Sequence, residues 1–229
     1  MLMNKNEQEK KKDVVAAFDF DGTLTNKDTL IAFICFTHGR RRLFMGFLRH
    51  APWLLLMKIG LYPNWKAKEK VFSYFYKGTA YEQFAQWGQE FADVAETMLN
   101  KKTVGTLKRH LSEGHKVCVV TASIDEWVRP VCRRLGVGTV LATRIEVSVS
   151  GRLTGRLLSS RPDDEGKNCY GSQKVVQLLE AFPHRQSYRL YAYGDSRGDD
   201  ELLSLADVGF CNGQRWHRAG DSGQSIRSR

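Results

Sequence analysis

The chain has 229 residues, 42% of them hydrophobic and 26% charged. This is ordinary for a soluble globular protein with room for one catalytic domain and a modest insertion. Five cysteines without framework spacing exclude a disulfide scaffold and point to reduced thiols in the cytoplasm, and no Cys-x-x-Cys or His-Cys cluster offers a structural metal site. The formal net charge of +10 implies an anionic partner: nucleic acid, an anionic membrane surface or a small phosphorylated molecule.

Residues 1–12 are polar and lysine-bearing, with no apolar segment before Val14, so no signal peptide is expected and a disordered start is. Val14-Val15-Ala16-Ala17-Phe18 then forms a short apolar run that stops at Asp19. Such runs suit strands buried on both faces of a parallel sheet. Two more follow: residues 116–120, ending at Thr121, and residues 188–193, ending at Gly194-Asp195. Helical patterns at 104–112, 124–135, 172–181 and 200–206 alternate with them, which predicts an α/β fold with a doubly wound parallel sheet. Residues 143–155 alternate and carry Ser150-Gly151, the pattern of a β-hairpin.

Between residues 28 and 99 the apolar residues recur at helical spacing, predicting helices over 29–37, 43–61, 67–76 and 81–99 inserted after the first strand. The predicted division is a core of 13–27 and 100–213, a helical insertion of 28–99 and a fraying tail of 214–229. The apolar stretch 43–61 is interrupted by Arg49, His50, Pro52 and Lys58. Each charge at bilayer depth costs roughly 2.5–3.5 kcal/mol, which argues against a span. Two readings stay open: a core-facing helix pair kinked at Pro52, or an interfacial amphipathic anchor.

The chemistry centres on Asp19-Phe20-Asp21-Gly22-Thr23-Leu24-Thr25. Two carboxylates one residue apart cannot both enter a core unpaired. At a strand end they project into the crevice above the sheet, where one attacks phosphorus and the other, protonated, donates to the leaving oxygen. Gly22 permits a tight turn and a close backbone approach to an anion.

This segment resembles the first signature of the haloacid dehalogenase superfamily, and three later segments resemble the others in order. Thr121 is similar to the second signature, whose hydroxyl binds a phosphoryl oxygen. Lys174, in Asn168-Cys169-Tyr170-Gly171-Ser172-Gln173-Lys174, is similar to the third, whose lysine neutralises the nucleophile and the phosphoryl group. Lys167 stands near enough to compete for that place, because residues 161–167 look like an insertion. Gly194-Asp195-Ser196-Arg197-Gly198-Asp199 is similar to the fourth, which completes a magnesium site. The resemblance implies Asp19 as nucleophile and Asp21 as general acid/base. It implies Mg²⁺ held by the Asp19 carboxylate, the Asp21 carbonyl and Asp195, with Asp199 acting on bound water or on Lys174. Asp200 is the alternative for Asp199.

The resemblance also makes residues 28–99 a type I cap, as in the phosphoserine phosphatase-like branch, subfamily IB. Gly22, Ala122 and Ser123, with Arg41 and Arg49 from the cap, are the expected substrate contacts. Ala122-Ser123 stands where phosphoserine phosphatases usually carry Gly-Gly, and the fourth signature lacks their Gly-x-Asn-Asp. The wording is closer to subfamily IB proteins similar to phosphatidylglycerophosphate phosphatase of type C. Arginines and lysines interleaved with Phe44, Phe47, Trp53 and Trp65 suit an anionic lipid. The expected substrate is therefore a phospholipid headgroup phosphate, with peripheral contact to the inner face of the membrane. The alternative is a soluble phosphoester such as phosphoserine or histidinol phosphate. No zinc-finger, RNA-binding or helix-turn-helix wording supports a nucleic-acid partner.

Overall fold

The computed structural model describes residues 13–158 and 168–217. The expected disordered start, the Arg161–Lys167 insertion with its candidate Lys167, and residues 218–229 lie outside them.

Strand β1 (Asp13–Phe18) is followed by helices α1 (Thr29–Lys58), α2 (Asn64–Tyr76), α3 (Tyr81–Glu96) and α4 (Lys101–Ser112) before β2 (Lys116–Ile124). Then come α5 (Asp125–Arg134), β3 (Thr139–Val147), β4 (Leu153–Leu158), α6 (Ser172–Ala181), β5 (Tyr188–Gly194), α7 (Asp200–Leu205), β6 (Val208–Cys211) and β7 (Gln214–Arg215). The seven strands form one sheet in the order β4-β3-β2-β1-β5-β6-β7. The β3, β2, β1, β5 and β6 strands are mutually parallel, and β4 and β7 add antiparallel edges.

β1 lies at the centre, so both of its faces are buried. Ala16 and Phe18 join the cluster that contains Trp127 and Phe33, while Val15 and Ala17 join the cluster of Cys118, Leu178, Leu190 and Leu202 on the other face. This explains the unbroken apolar run: a strand covered on both sides has no polar register to show. All five cysteines are free thiols.

The β1–α1 and α3–α4 connections run side by side. Thr25 and Leu99 form an antiparallel bridge, the Asn26 N–H donates to Met98 O at 2.8 Å, and the Asn100 N–H donates to Leu24 O at 2.8 Å. Helices α1–α3 leave the sheet through this paired stem and α4 returns against β1 and β2. The insertion packs back on the core through α3 against α5 and α2 against β4. Phe33 of α1 stacks on Trp127 of α5 at a centroid distance of 4.6 Å, and both are fully buried.

Two boundaries differ from expectation. α1 runs continuously past Pro52, and its break falls at Gly39, whose φ of +79° leaves the helical region. Pro52 is exposed, so the carbonyl left without an amide partner meets water and no kink is forced. The tail from residue 214 is paired at first: Gln214–Arg215 form β7, and the Trp216 N–H donates to Gly209 O at 2.8 Å. The hairpin of β3 and β4 turns at Ser150-Gly151 as expected. Among the described residues no helix is long and apolar enough to cross a membrane.

Candidate active site

The parallel strands end on one edge, and the chemistry gathers there. Asp19 follows β1, its N–H held by Tyr193 O of β5 at 2.9 Å. The chain then turns back within five residues, closed by a Thr25 N–H bond to Phe20 O at 2.9 Å. Gly22 has φ +77°, and a Cβ there would overlap the Asp195 carboxylate. Only glycine admits both the turn and the close approach.

Lys174 lies in the first turn of α6, 2% exposed. Its Nζ donates to Asp19 Oδ1 at 2.6 Å and to Asp199 Oδ1 at 2.5 Å. Lys174, of the two candidate lysines, meets Asp19 here, and Lys167 lies outside the described residues. The other Asp199 oxygen accepts from the Asp195 and Ser196 N–H groups, both at 3.1 Å, and from Ser196 Oγ at 3.2 Å. Asp199 is fully buried with both oxygens committed, so it braces Lys174 and the Asp195 loop.

Asp21 sits in different company. Its Oδ1 accepts from the Thr29 N–H at 2.9 Å and from Thr29 Oγ1 at 2.7 Å. Its Oδ2 accepts from Ser123 Oγ. Trp127 Nε1 donates to Thr29 Oγ1 at 3.1 Å. These hydroxyl contacts fix the Asp21 carboxyl without placing an ammonium against it. Burial pushes its pKa up, with the charge of Asp28 adding and that of Lys68 opposing. Burial also pushes Asp19 up, to about 7, against the pull of Lys174. Asp195 rises to about 6, through burial first and the neighbouring Asp199 charge second.

Thr121 is 1% exposed and lines the cleft over these acids together with Ala122. The Ser123 N–H donates to Thr121 Oγ1 at 3.1 Å. The cleft holds about 320 Å³ and is also lined by Asn26, Asp28, Asn64, Lys68 and Tyr170. Lys68 of α2 reaches across to donate to Ala122 O at 2.8 Å. Asn64, Thr29 and Lys68, the last being one of the basic residues between His38 and Lys70, are not among the site residues expected from the sequence. Thr29 alone offered a signal, as a hydroxyl at the start of α1 immediately after the cap residue Asp28.

Arg41 and Arg49, expected as substrate contacts, do not line this cleft. Arg49 lines a separate cavity of about 440 Å³ with His50, Lys70 and Arg156, where α1, α2 and β4 meet. The insertion presents its basic α1 residues away from the acids. Asp200 opens α7 and does not line the cleft either, whereas Asp199 bonds Lys174.

The donor set fits a hard dication. One ligand atom from each of Asp19, Asp195 and Asp199 lies within 4.8 Å of the others. The missing Cβ of Gly22 leaves the Asp195 carboxylate room beside the turn. Among the described residues the cleft sets Asp19, Asp21, Asp28 and Asp195, with Asp199 behind them, against Lys27, Lys68 and Lys174, a negative excess that a dication with oxygen ligands would balance.

An α/β sheet that delivers paired aspartates, a lysine and a third acid to its carboxyl edge defines a hydrolase of the Rossmann-like kind. The family model for haloacid dehalogenase-like hydrolases matches residues 16–204, and the chain belongs to that family. Protein CicA of Caulobacter vibrioides is 36% identical over 196 residues, covering 85% of this chain and 83% of that one. Phosphoserine phosphatase SerB1 of Mycobacterium tuberculosis is 31% identical over 205 residues, covering 84% of this chain and 63% of that one. A solved structure of a phospho-aspartyl intermediate analogue of phosphoserine phosphatase shares the fold. Its TM-score is 0.60 at 20% identity, covering 88% of this chain and 87% of that one.

Proposed function

We propose that this hydrolase is a phosphomonoesterase that works through an aspartyl-phosphate on Asp19, with Asp21 as acid and then base. The observation that carries the reading is the contrast between the two carboxylates. Both carboxyls are raised by burial, but Asp19 meets the Lys174 ammonium at 2.6 Å, which pulls it towards the ionised nucleophile. Asp21 has no ammonium in hydrogen-bond contact, and burial raises its pKa over the opposing pull of its Thr29 and Ser123 donors and of Lys68, which favours a carboxyl that holds a proton. Environments that differ in this way assign acid and nucleophile.

In the first step an Asp19 oxygen bonds to phosphorus, the ester P–O bond breaks, and the leaving oxygen takes the Asp21 proton. In the second, Asp21 removes a proton from water, the water oxygen bonds to phosphorus, and the Asp19–phosphorus bond breaks. Thr121 Oγ1 and Lys174 Nζ hold phosphoryl oxygens, and Asp199 keeps Lys174 aimed. Mg²⁺ would be held by the Asp19 and Asp195 carboxylates with the Asp21 carbonyl, supplying charge neutralisation at the phosphoryl group.

The substrate that fits best is a small, polar phosphoester of the phosphoserine kind. Among the described residues the cleft lining is polar or charged apart from its glycines, Ala122 and Tyr170. The relative SerB1 and the phospho-aspartyl structure carry phosphoserine phosphatase names. The phosphatidylglycerophosphate reading gains no support from the relatives reported above, and the soluble phosphoester takes precedence. The test is phosphate release from a panel of phosphoesters with Mg²⁺, with Asp19→Asn as control. Turnover that survives Asp19→Asn overturns the covalent route, and turnover of phosphatidylglycerophosphate alone overturns the substrate assignment.

A further inference from the structure

Helix α1 carries two apolar faces, and the fold covers one of them. On the inner face Gly46 is buried so close to Phe75 that a Cβ would overlap its ring, and Leu43 and Leu54 pack against the core. On the outer face Phe44, Leu48, Leu55 and Ile59 are 69, 66, 62 and 60% exposed. Those four positions fall within an arc of about 60° at 3.6 residues per turn, and the row is about 22 Å long. Met45 and Leu61 are also exposed, at 64 and 73%. Most of the large exposed hydrophobic side chains among the described residues lie between Ile31 and Leu61. A clustered apolar stripe of this kind marks a surface that is covered in use.

The charge around the stripe says what covers it. Arg40, Arg41, Arg42, Arg49 and Lys58 are exposed on the same helix, and between Asp28 and Glu69 the sequence holds no acid. None of the five pairs with an acid among the described residues. A second copy laid on the stripe would set arginines against arginines or against Lys58, with nothing to neutralise either. A nucleic acid would use the cations and leave the aliphatic row in water. A bilayer surface that bears anionic headgroups satisfies both at once, with the apolar row entering the acyl boundary and the cations meeting phosphates.

We propose that the outer face of α1 docks this protein, lying flat, on an anionic phospholipid surface. The inference is independent of the proposed phosphomonoesterase chemistry, because it concerns where the chain sits and uses no residue of the cleft.

The experiment is co-sedimentation of the full chain with phosphatidylcholine vesicles made with and without phosphatidylglycerol, alongside turnover of a soluble phosphoester. The wild type is expected to pellet with phosphatidylglycerol vesicles and to be released by salt. A Phe44→Ser/Leu48→Ser/Leu55→Ser variant is expected to lose binding by about tenfold or more, with its circular dichroism and soluble turnover unchanged. Arg40→Gln/Arg41→Gln/Arg42→Gln is expected to lose the preference for anionic vesicles. Absence of wild-type pelleting, or equal pelleting of the stripe variant, overturns the proposal. A dimer abolished by the stripe variant, with no vesicle binding, also overturns it and assigns the face to a second copy. Absent turnover with intact pelleting overturns the catalytic reading and supports this one.

Discussion

The Lys68 ammonium, on the second helix of the insertion, donates to the carbonyl of Ala122 at the end of β2, 2.8 Å away. A charged group of the helical insertion is thereby fastened to the rim of the core, in the cleft that Asp21 also lines. Lys68→Met keeps the aliphatic stem and removes this bond together with a positive charge over the cleft. A charge-assisted hydrogen bond from that ammonium to a substrate phosphate would contribute about 1.5–3 kcal/mol, so its loss should lower kcat/KM by about 10- to 100-fold. Steady-state kinetics on the best phosphoester of the panel checks this, and an unchanged kcat/KM would remove Lys68 from substrate handling.

Asp199 accepts from Lys174 and from three groups of the Asp195 loop. Asp199→Ala leaves Lys174 with half its partners in a buried site, a loss of about 3 kcal/mol or more. Urea unfolding should show a lower midpoint and an unchanged slope. Asp199→Asn keeps an oxygen for the loop amides and should lose less stability, while turnover falls in both.

Ser123 holds one oxygen of Asp21 and Thr29 the other. Ser123→Ala should lower kcat by about tenfold with little change in KM, as expected when an acid/base group is loosened rather than removed. Asp21→Asn should be far worse. Equal effects of the two substitutions would contradict the division of labour.

Gly22→Ala places a methyl group on a left-handed residue and into the Asp195 carboxylate. The backbone alone opposes this by about 1–2 kcal/mol. The variant should need much more Mg²⁺ for half-maximal turnover, and chelation of the wild type should abolish turnover reversibly. Turnover unaffected by chelation would remove the dication from the reaction.

His110 is buried between His115, at 2.7 Å from its Nδ1, and the Tyr193 hydroxyl, at 2.9 Å from its Nε2. Burial chiefly, then the charges of His115 and Arg109, lower its pKa from 6.5 to about 4. The unfolded chain therefore binds the proton more readily than the folded one. The contribution of His110 to stability is complete above pH 6.5 and is lost as pH falls from 6.5 towards 4, whereas the raised carboxyls Asp19 and Asp195 gain stability over the same range. Relative to the wild type, the thermal midpoint of His110→Gln should therefore shift upward as pH falls from 7 to 5. Equal slopes for the two proteins would assign the acid sensitivity elsewhere.

Much of this architecture can be read before any coordinates. The β1 and β2 strands are buried on both faces and show as continuous apolar runs, and β5 is apolar from Leu190 onward despite the exposed Arg189; each stops where chemistry begins. β6 and β7 are too short to establish a period, and they escape notice. Pro52 looks like a break but lies on an exposed side of α1, where a lost amide bond costs little, and Gly39 makes the break instead. Asp19, Thr121 and Asp195 stand at or near strand ends, and together with Lys174 and Asp199 they are legible through their resemblance to the four signatures of the family. Lys68 is not, because its partner lies 54 positions away and one lysine in a basic run resembles its neighbours. Arg41 and Arg49 mislead for the same reason: charge in a sequence does not say which way a helix faces.

The paired stem formed by Thr25 and Leu99 carries a lesson about how such a chain can diversify. Because the outgoing and returning segments are joined at the threshold, the core meets a closed hairpin however many residues lie beyond it. Closure entropy rises only slowly with the length of a loop. Helices can therefore be lengthened or exchanged above the stem with little penalty to the sheet, provided the contacts of Phe33 with Trp127 are kept. Selectivity and anchorage can drift while the reaction stays put.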